Sequence, residues 1–269
     1  MRARLVATDL DGTLLRSDGT VSVETEGVLA AVEEAGVPLV FVTARPLRWM
    51  EHLWRFVGRH GLALVSNGAL LFDVAERRVL ETRGIAPDVG LPLVDAVAAA
   101  LPDAAFALEC VSGLVRDPRF VEPNEIPPGS PVGPLAELWV EPALKLMVRC
   151  PGADDVRVRA AVTAAVGARA VATWSGPGLV EVSAPGVTKA AGLARVAARL
   201  GVDAADVVAF GDQPNDLTML AWAGTSCAVA NADPAVRTAA DHVVPANDDD
   251  GVARTLAALL AGRGLPTER

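Results

Sequence analysis

The sequence predicts an α/β protein, a doubly wound parallel-sheet core interrupted by an inserted α+β module. Short apolar runs, at Leu5 onward, Val37 to Val42, Leu62 to Val65 and Val207 to Phe210, each end in polar residues, as buried parallel strands do. Segments with helical apolar spacing alternate with them, the pattern of a doubly wound sheet. That rhythm stops after about Gly84 and resumes near Lys189. The chain therefore divides into core at 1–84, module at 85–183 and core again at 184–269.

The first run, Leu5 to Leu15, carries Asp9 and Asp11 and then Gly12-Thr13, which suits a turn, and Arg16 to Gly19 reads as a second turn. Glu24 to Ala35 is expected to be a helix burying Val28, Ala31, Val32 and Ala35, with Gly36 as its stop. Val37 to Val42 leads into Thr43-Ala44-Arg45-Pro46, and Pro46 starts a helix with the stripe Met50, Leu53, Trp54 and Val57. Leu62 to Val65 leads into Ser66-Asn67-Gly68, and an antiparallel hairpin is expected around Ala75 to Arg78.

Within the module, helices are expected at Leu93 to Leu101 and Asp155 to Val166. Strands are expected at Phe106 to Val115, Leu144 to Arg149, Ala170 to Trp174 and Leu179 to Val182, with a long loop at about Asp117 to Pro134. The resumed core reads as helix Lys189 to Leu200, strand Val207 to Phe210 and the loop Gly211 to Asp216. Helix Leu217 to Ala223, strands at Ser226 to Val229 and His242 to Val244, and a terminal helix through Val252, Leu256, Leu259 and Leu260 complete it.

The chain's 269 residues suffice for a large core, and 51% hydrophobic against 21% charged residues argues against disorder. A net charge of -9 speaks against nucleic-acid or anionic-membrane partners, which need a basic face. Three scattered cysteines, Cys110, Cys150 and Cys227, read as buried reduced thiols rather than a disulfide framework or a zinc site. His52, His60 and His242 show no metal-ligand spacing, and no Tyr can serve as acid or base. MRARLVATD reaches a carboxylate before a signal peptide's apolar region can form, so a soluble cytoplasmic protein is expected.

Asp9 and Asp11 leave a strand end where an α/β sheet places its ligand. Side chains at i and i+2 point the same way, so both acids can reach one substrate. A carboxylate can attack phosphorus, and a second acid can protonate the leaving oxygen and later activate water. Asp-Gly is also ordinary turn chemistry. Asp212 and Asp216 form a second acidic cluster suited to Mg²⁺, a hard cation that takes carboxylate and phosphate oxygens. The same loop also reads as a helix cap by Asn215 or Asp216.

Thr43 and Lys189 supply a hydroxyl and an ammonium for a phosphoryl group, although both positions are commonly solvated. Arg45 suits an anionic part of a substrate. Asn67, with Gly68 beside it, suits a hydroxyl; a surface ion pair and a turn explain these residues almost as well. The Asn247-Asp248-Asp249-Asp250-Gly251 run reads as a solvated loop and helix cap.

Taken together, DLDGTLL at Asp9, T-A-R-P at Thr43, S-N-G-A at Ser66, G-V-T-K-A-A-G-L around Lys189, G-D-Q-P-N-D at Gly211 and the terminal N-D-D-D-G-V-A resemble the haloacid dehalogenase superfamily, within it the Cof-like type IIB phosphatases. The resemblance implies Asp9 as nucleophile, Asp11 as acid/base, and Thr43 and Lys189 as phosphoryl binders. It also implies Mg²⁺ held by the Asp9 carboxylate, the Asp11 carbonyl and Asp212, with Asn215 and Asp216 in support. The inserted module corresponds to that family's cap, which selects substrate; Glu109, Arg116 and Arg149 are its polar candidates.

Two departures stand out. Ala44 replaces a common Gly beside Arg45, and Gln213-Pro214 fills a variable stretch. The implied activity is hydrolysis of a small phosphorylated metabolite, a sugar phosphate or similar, through an aspartyl-phosphate. The alternatives are a phosphomutase or phosphotransferase on the same scaffold and a non-catalytic metabolite-binding protein.

Overall fold

A computed structural model describes residues 3–58, 61–121, 126–174 and 177–263. In chain order the elements begin with β1 (Leu5–Thr8), α1 (Val23–Glu34), β2 (Leu39–Val42), β3 (Leu62–Val65), β4 (Leu70–Asp73) and β5 (Arg78–Thr82). Next come α2 (Pro87–Ala100), β6 (Ala105–Glu109), β7 (Leu114–Arg116), α3 (Leu135–Leu138), β8 (Lys145–Arg149), α4 (Asp155–Val166), β9 (Val171–Thr173) and β10 (Val180–Ser183). The chain then runs through α5 (Lys189–Leu200), β11 (Val207–Gly211), α6 (Leu217–Trp222), β12 (Thr225–Val229), α7 (Pro234–Ala239), β13 (His242–Val244) and α8 (Gly251–Leu260).

These form two compact units: Met1–Arg45 with Trp49–Leu80 and Thr188–Arg269, and Pro46–Arg48 with Glu81–Val187. The first holds an eight-stranded sheet ordered β13-β12-β11-β1-β2-β3-β4-β5. Pairing is parallel from β13 to β3, and β4 runs antiparallel to β3. β1 is wholly buried and lies between β11 and β2. The chain winds outward from β1 to β2 on one side and returns at β11 on the other, so the strand order reverses between β1 and β11. Ligands of open α/β sheets bind at the carboxyl ends beside such a reversal, and there Asp9 follows β1 and Asp212 follows β11.

Helix ends follow local chemistry. Ser22 and Thr188 cap α1 and α5 by accepting from Thr25 N–H and Ala191 N–H, and Gly201 ends α5 in the left-handed conformation, φ 64°. The α5 stripe expected from sequence is buried at Leu193, Val196 and Ala197.

The second unit holds an antiparallel sheet ordered β7-β6-β8-β10-β9. Phe106, Leu108, Leu146, Val148, Val180 and Val182 alternate along its strands and are all buried. Helices α2 and α4 pack together, and α2 leaves room for the Trp139 indole only because position 90 is glycine; a Cβ there would lie 1.8 Å from the ring.

Several local expectations change. The buried face of α1 is Thr25, Leu29 and Val32, while Ala31 and Ala35 are exposed, because the larger Leu29 sets the rotation. After Pro46 there are two 3₁₀ stretches, Leu47–Trp49 and Glu51–Phe56, in place of one helix. Met50, Leu53, Trp54, Phe56 and Val57 are all buried, a wider arc than one α-helical stripe covers, and the tighter turn brings them inward.

The run Phe106 to Val115 is split into β6 and β7 by a turn at Gly113, φ 129°. Helix α2 starts at Pro87, a favourable first position, and contains Pro92, which the sequence reading placed before the helix. Helices α3 and α7 are too short to show a periodic stripe.

No helix among the described residues is long and apolar enough to cross a membrane. Cys110, Cys150 and Cys227 are free, and burial pushes the Cys110 and Cys227 thiols up to about 12, which makes them poor nucleophiles. His52 is exposed. His60 lies outside the described residues.

Candidate active site

Beyond β1 the chain makes a tight turn from Leu10 to Leu14, closed by the Leu15 N–H donating to the Leu10 carbonyl at 2.8 Å. Gly12 sits at φ 74°, and a Cβ on it would lie 2.5 Å from Asp212 Oδ2. Glycine at this position therefore lets the turn press against the Asp212 carboxylate. Thr13 Oγ donates to the other oxygen, Asp212 Oδ1, at 2.7 Å.

Lys189 enters from the first turn of α5, fully buried. Its Nζ lies 2.7 Å from Asp9 Oδ1 and donates to Asp216 Oδ1 at 2.5 Å. The second oxygen of Asp216 accepts from the N–H groups of Asp212 at 3.0 Å and Gln213 at 2.9 Å. Asp216 is thus occupied on both oxygens and organises the loop that presents Asp212. Asp9, Asp212 and Asp216 each offer an oxygen within 4.8 Å of the others.

The electrostatics of this cluster are unbalanced. Desolvation pushes the Asp9 carboxyl well above the ordinary range; Lys189 opposes this, and Asp216 and Asp212 reinforce it. Asp212 is raised to about 6, first by burial and then by Asp216. Burial alone would lower the Lys189 ammonium, but Asp216 and Asp9 override it and hold it above its usual value. Three buried carboxylates share one ammonium, and every donor in the set is a hard oxygen. The set fits Mg²⁺, which favours carboxylate oxygens and would relieve the excess charge.

The other sequence candidates occupy distinct positions. The Asp11 carboxylate is 58% exposed and forked by Arg45, whose Nε and Nη2 donate at 2.7 and 2.6 Å. Thr43 is buried, and its Oγ accepts from the Arg45 N–H at 3.0 Å, leaving the hydroxyl proton to be donated elsewhere. Asn67 Oδ1 accepts from Asn215 Nδ2 at 3.2 Å. Ser66 and Asn67 are left-handed, φ 51° and 57°, and a Cβ on Gly68 would lie 2.7 Å from the Thr188 carbonyl. That close approach seats Ser66–Gly68 against the cap of α5.

In the second unit Glu109 is buried and forked by Arg48 at 3.0 Å, while Arg116 and Arg149 donate to the carbonyls of Phe120 at 3.2 Å and Gly178 at 3.1 Å. Lys145 and Glu181 form a further buried ion pair that the sequence reading passed over.

The run at Asn247 departs from expectation. Asn247 and Asp250 are buried rather than solvated, and Asp250, at the N-terminus of α8, makes no capping bond because its carboxylate is committed to Arg16 and Thr25. Asp248 instead takes the Ser17 N–H and hydroxyl at 2.8 and 2.7 Å. Thr13, Arg16 and Asn231 also bond across these loops. From sequence Thr13 and Arg16 read only as turn residues, and Asn231 carries no periodic or spacing signal.

The family model described as haloacid dehalogenase-like hydrolase matches residues 6–256. The chain belongs to the haloacid dehalogenase-like hydrolases. It is 27% identical over 259 residues to the 5-amino-6-(5-phospho-D-ribitylamino)uracil phosphatase YcsE of Bacillus subtilis, covering 94% of each protein. It is 28% identical to the pyridoxal phosphate phosphatase YbhA of Escherichia coli, over 94% of this chain and 97% of that one. Among solved structures, BT1666 of Bacteroides thetaiotaomicron, a phosphatase of the haloalkanoate (HAD) enzyme superfamily, superposes with a TM-score of 0.82 at 25% identity, over 96% of this chain and 95% of that one.

Proposed function

We propose that this hydrolase is a Mg²⁺-dependent phosphatase that cleaves phosphomonoesters of a small metabolite through an aspartyl-phosphate on Asp9. The observation that carries the reading is the buried Lys189 ammonium held between Asp9 and Asp216, with Asp212 alongside. Lys189 keeps Asp9 oriented and offsets charge on the transferring group, and the Thr43 hydroxyl is available to a phosphoryl oxygen. Mg²⁺, held by the Asp9 carboxylate, the Asp11 carbonyl and Asp212, would shield the phosphate dianion from the acids as they approach. Asn215 and Asp216 support that loop.

Asp9 attacks phosphorus, the ester oxygen leaves with a proton from Asp11, and Asp11 then takes a proton from the water that releases phosphate. In the conformation described, Asp11 is forked by Arg45. Acting at the leaving oxygen requires Asp11 to leave that fork, which also frees Arg45 for the substrate alongside Asn67 and Gly68.

The phosphatases named among the relatives act on a ribitylamino-uracil phosphate and on pyridoxal phosphate. They support a small phosphorylated metabolite, a sugar phosphate or similar compound, as the substrate class. The acidic net charge of -9 supports neither nucleic acid nor membrane as a partner and is consistent with a cytoplasmic enzyme.

The test is phosphate release from p-nitrophenyl phosphate with and without Mg²⁺, for the parent and Asp9→Asn. The parent is expected to be Mg²⁺-dependent and the variant to lose about 10⁴-fold or more in kcat, as nucleophile removal does. Equal rates in the two proteins would overturn the mechanism.

A further inference from the structure

We propose that Asn231 and Asn247 are positioning residues that hold the nucleophile-bearing turn and the Asp212 loop in register. Asn231 Nδ2 donates to the Gly12 carbonyl at 2.7 Å, and its Oδ1 accepts from the Asn247 N–H at 3.0 Å. Asn247 Nδ2 in turn donates to the Leu15 carbonyl at 2.9 Å, in a buried bond. Two side-chain amides therefore grip the same short turn, one at its middle and one just past its end, and they are joined to each other.

The segment carrying Asn231 also reaches the second acidic loop, because the Asp233 N–H donates to the Asp212 carbonyl at 2.9 Å. Gly12, which Asn231 grips, is the residue whose Cα packs against the Asp212 carboxylate. Between them, the loop after β12 and the loop before α8 fix the turn that follows Asp9 relative to Asp212. Neither side chain contacts Asp9, Lys189 or Asp216 in any of these bonds, so their effect on chemistry runs through backbone position.

A turn gains from such a grip because Gly12 is its most deformable residue. Released from Asn231, Gly12 can swing away from Asp212, carrying the Asp11 carbonyl with it. Groups that orient metal ligands from behind are worth about 10–100-fold in metal affinity or activity. The inference rests on the phosphatase reading for its kinetic arm only.

The experiment compares the parent with Asn231→Ala, Asn247→Ala and the double variant. Three readouts are taken: Mg²⁺ affinity by calorimetry, amide hydrogen exchange across residues 10–16, and kcat and KM for p-nitrophenyl phosphate. Asn231 is exposed, so Asn231→Ala should fold like the parent. We expect it to weaken Mg²⁺ binding and lower kcat about tenfold each, with KM within about twofold, and to speed exchange in the turn. The double variant should lose less than the product of the two singles, since both amides secure one turn.

A purely structural role would lower the melting temperature while leaving the Mg²⁺ affinity, KM and kcat of the folded protein unchanged, and that result overturns the proposal. Unchanged exchange in Asn231→Ala overturns it as well. If the parent itself releases no phosphate, the phosphatase reading fails, and calorimetry and exchange still judge the grip.

Discussion

The candidate site buries three carboxylates around the ammonium of Lys189, whereas the second unit sets buried charges against charges of opposite sign, Lys145 with Glu181 and Arg48 with Glu109. Buried ions of opposite sign offset each other's charge, at the cost of desolvation. In the carboxylate cluster negative charge outweighs positive, and burial first, then the neighbouring carboxylates, hold Asp9 and Asp212 above their ordinary ionisation range. Excess buried charge of one sign is a fold's way of storing affinity for a ligand of the other. The two regions thus differ in whether buried charge of one sign is left in excess.

The largest effect should come from removing the one cation in the unbalanced cluster. Lys189→Met leaves Asp9, Asp212 and Asp216 facing one another with no counter-charge. We expect kcat for p-nitrophenyl phosphate to fall about 10²–10³-fold or more, and the metal-free protein to melt well below the parent, with Mg²⁺ recovering part of the loss. A variant that melts with the parent in EDTA would mean that Lys189 is not what holds the carboxylates together.

The ion pairs of the second unit should respond in the opposite way to double substitution. Glu181→Leu removes the carboxylate that faces the buried Lys145 ammonium and should cost about 3–5 kcal/mol, read by chemical denaturation. Adding Lys145→Met removes that ammonium, and the double variant should regain most of that loss. An additive pair of losses would show that the couple does more than offset its own charge, and the contrast with the core would weaken.

Much of this was legible in the sequence because parallel strands print their ends. A continuous apolar run that stops at Asp9, Thr43 or Asp212 fixes both a buried strand and the edge where its polar residue emerges, and Lys189 follows from a helix start capped by Thr188. What stayed hidden depends on pairing between distant loops. Nothing in the run Asn247 to Asp250 tells that its carboxylates face Arg16 and Ser17, and polar loop residues look solvated until their partners are placed. The Lys145–Glu181 couple is hidden for a related reason: a charge inside a strand reads as outward-facing unless the opposite strand is known to carry its mate. Asp11 shows a third limit, since i and i+2 share a face only while the backbone stays extended, and the turn already begins at Leu10, between the two acids.

The finest test of the contrast is a pH profile, because stored charge must show itself as a titration. Asp212 ionises at about 6 in the metal-free fold against 3.8 ordinarily, chiefly through burial and then through Asp216. A folded-state value raised above the unfolded one means that the contribution to stability is fully present below about pH 4 and is lost as pH climbs through about 6. Asp212→Asn cannot ionise and lacks that decline. In EDTA, the melting temperature of the parent should therefore fall relative to the variant between about pH 4 and 6 and stay lower at neutral pH. Mg²⁺ should close the gap from the parent's side, raising the parent while leaving Asp212→Asn nearly unmoved, because the cation takes over the charge that the proton had neutralised. Parallel curves for the two proteins, with and without Mg²⁺, would show instead that the cluster carries no charge in need of a cation.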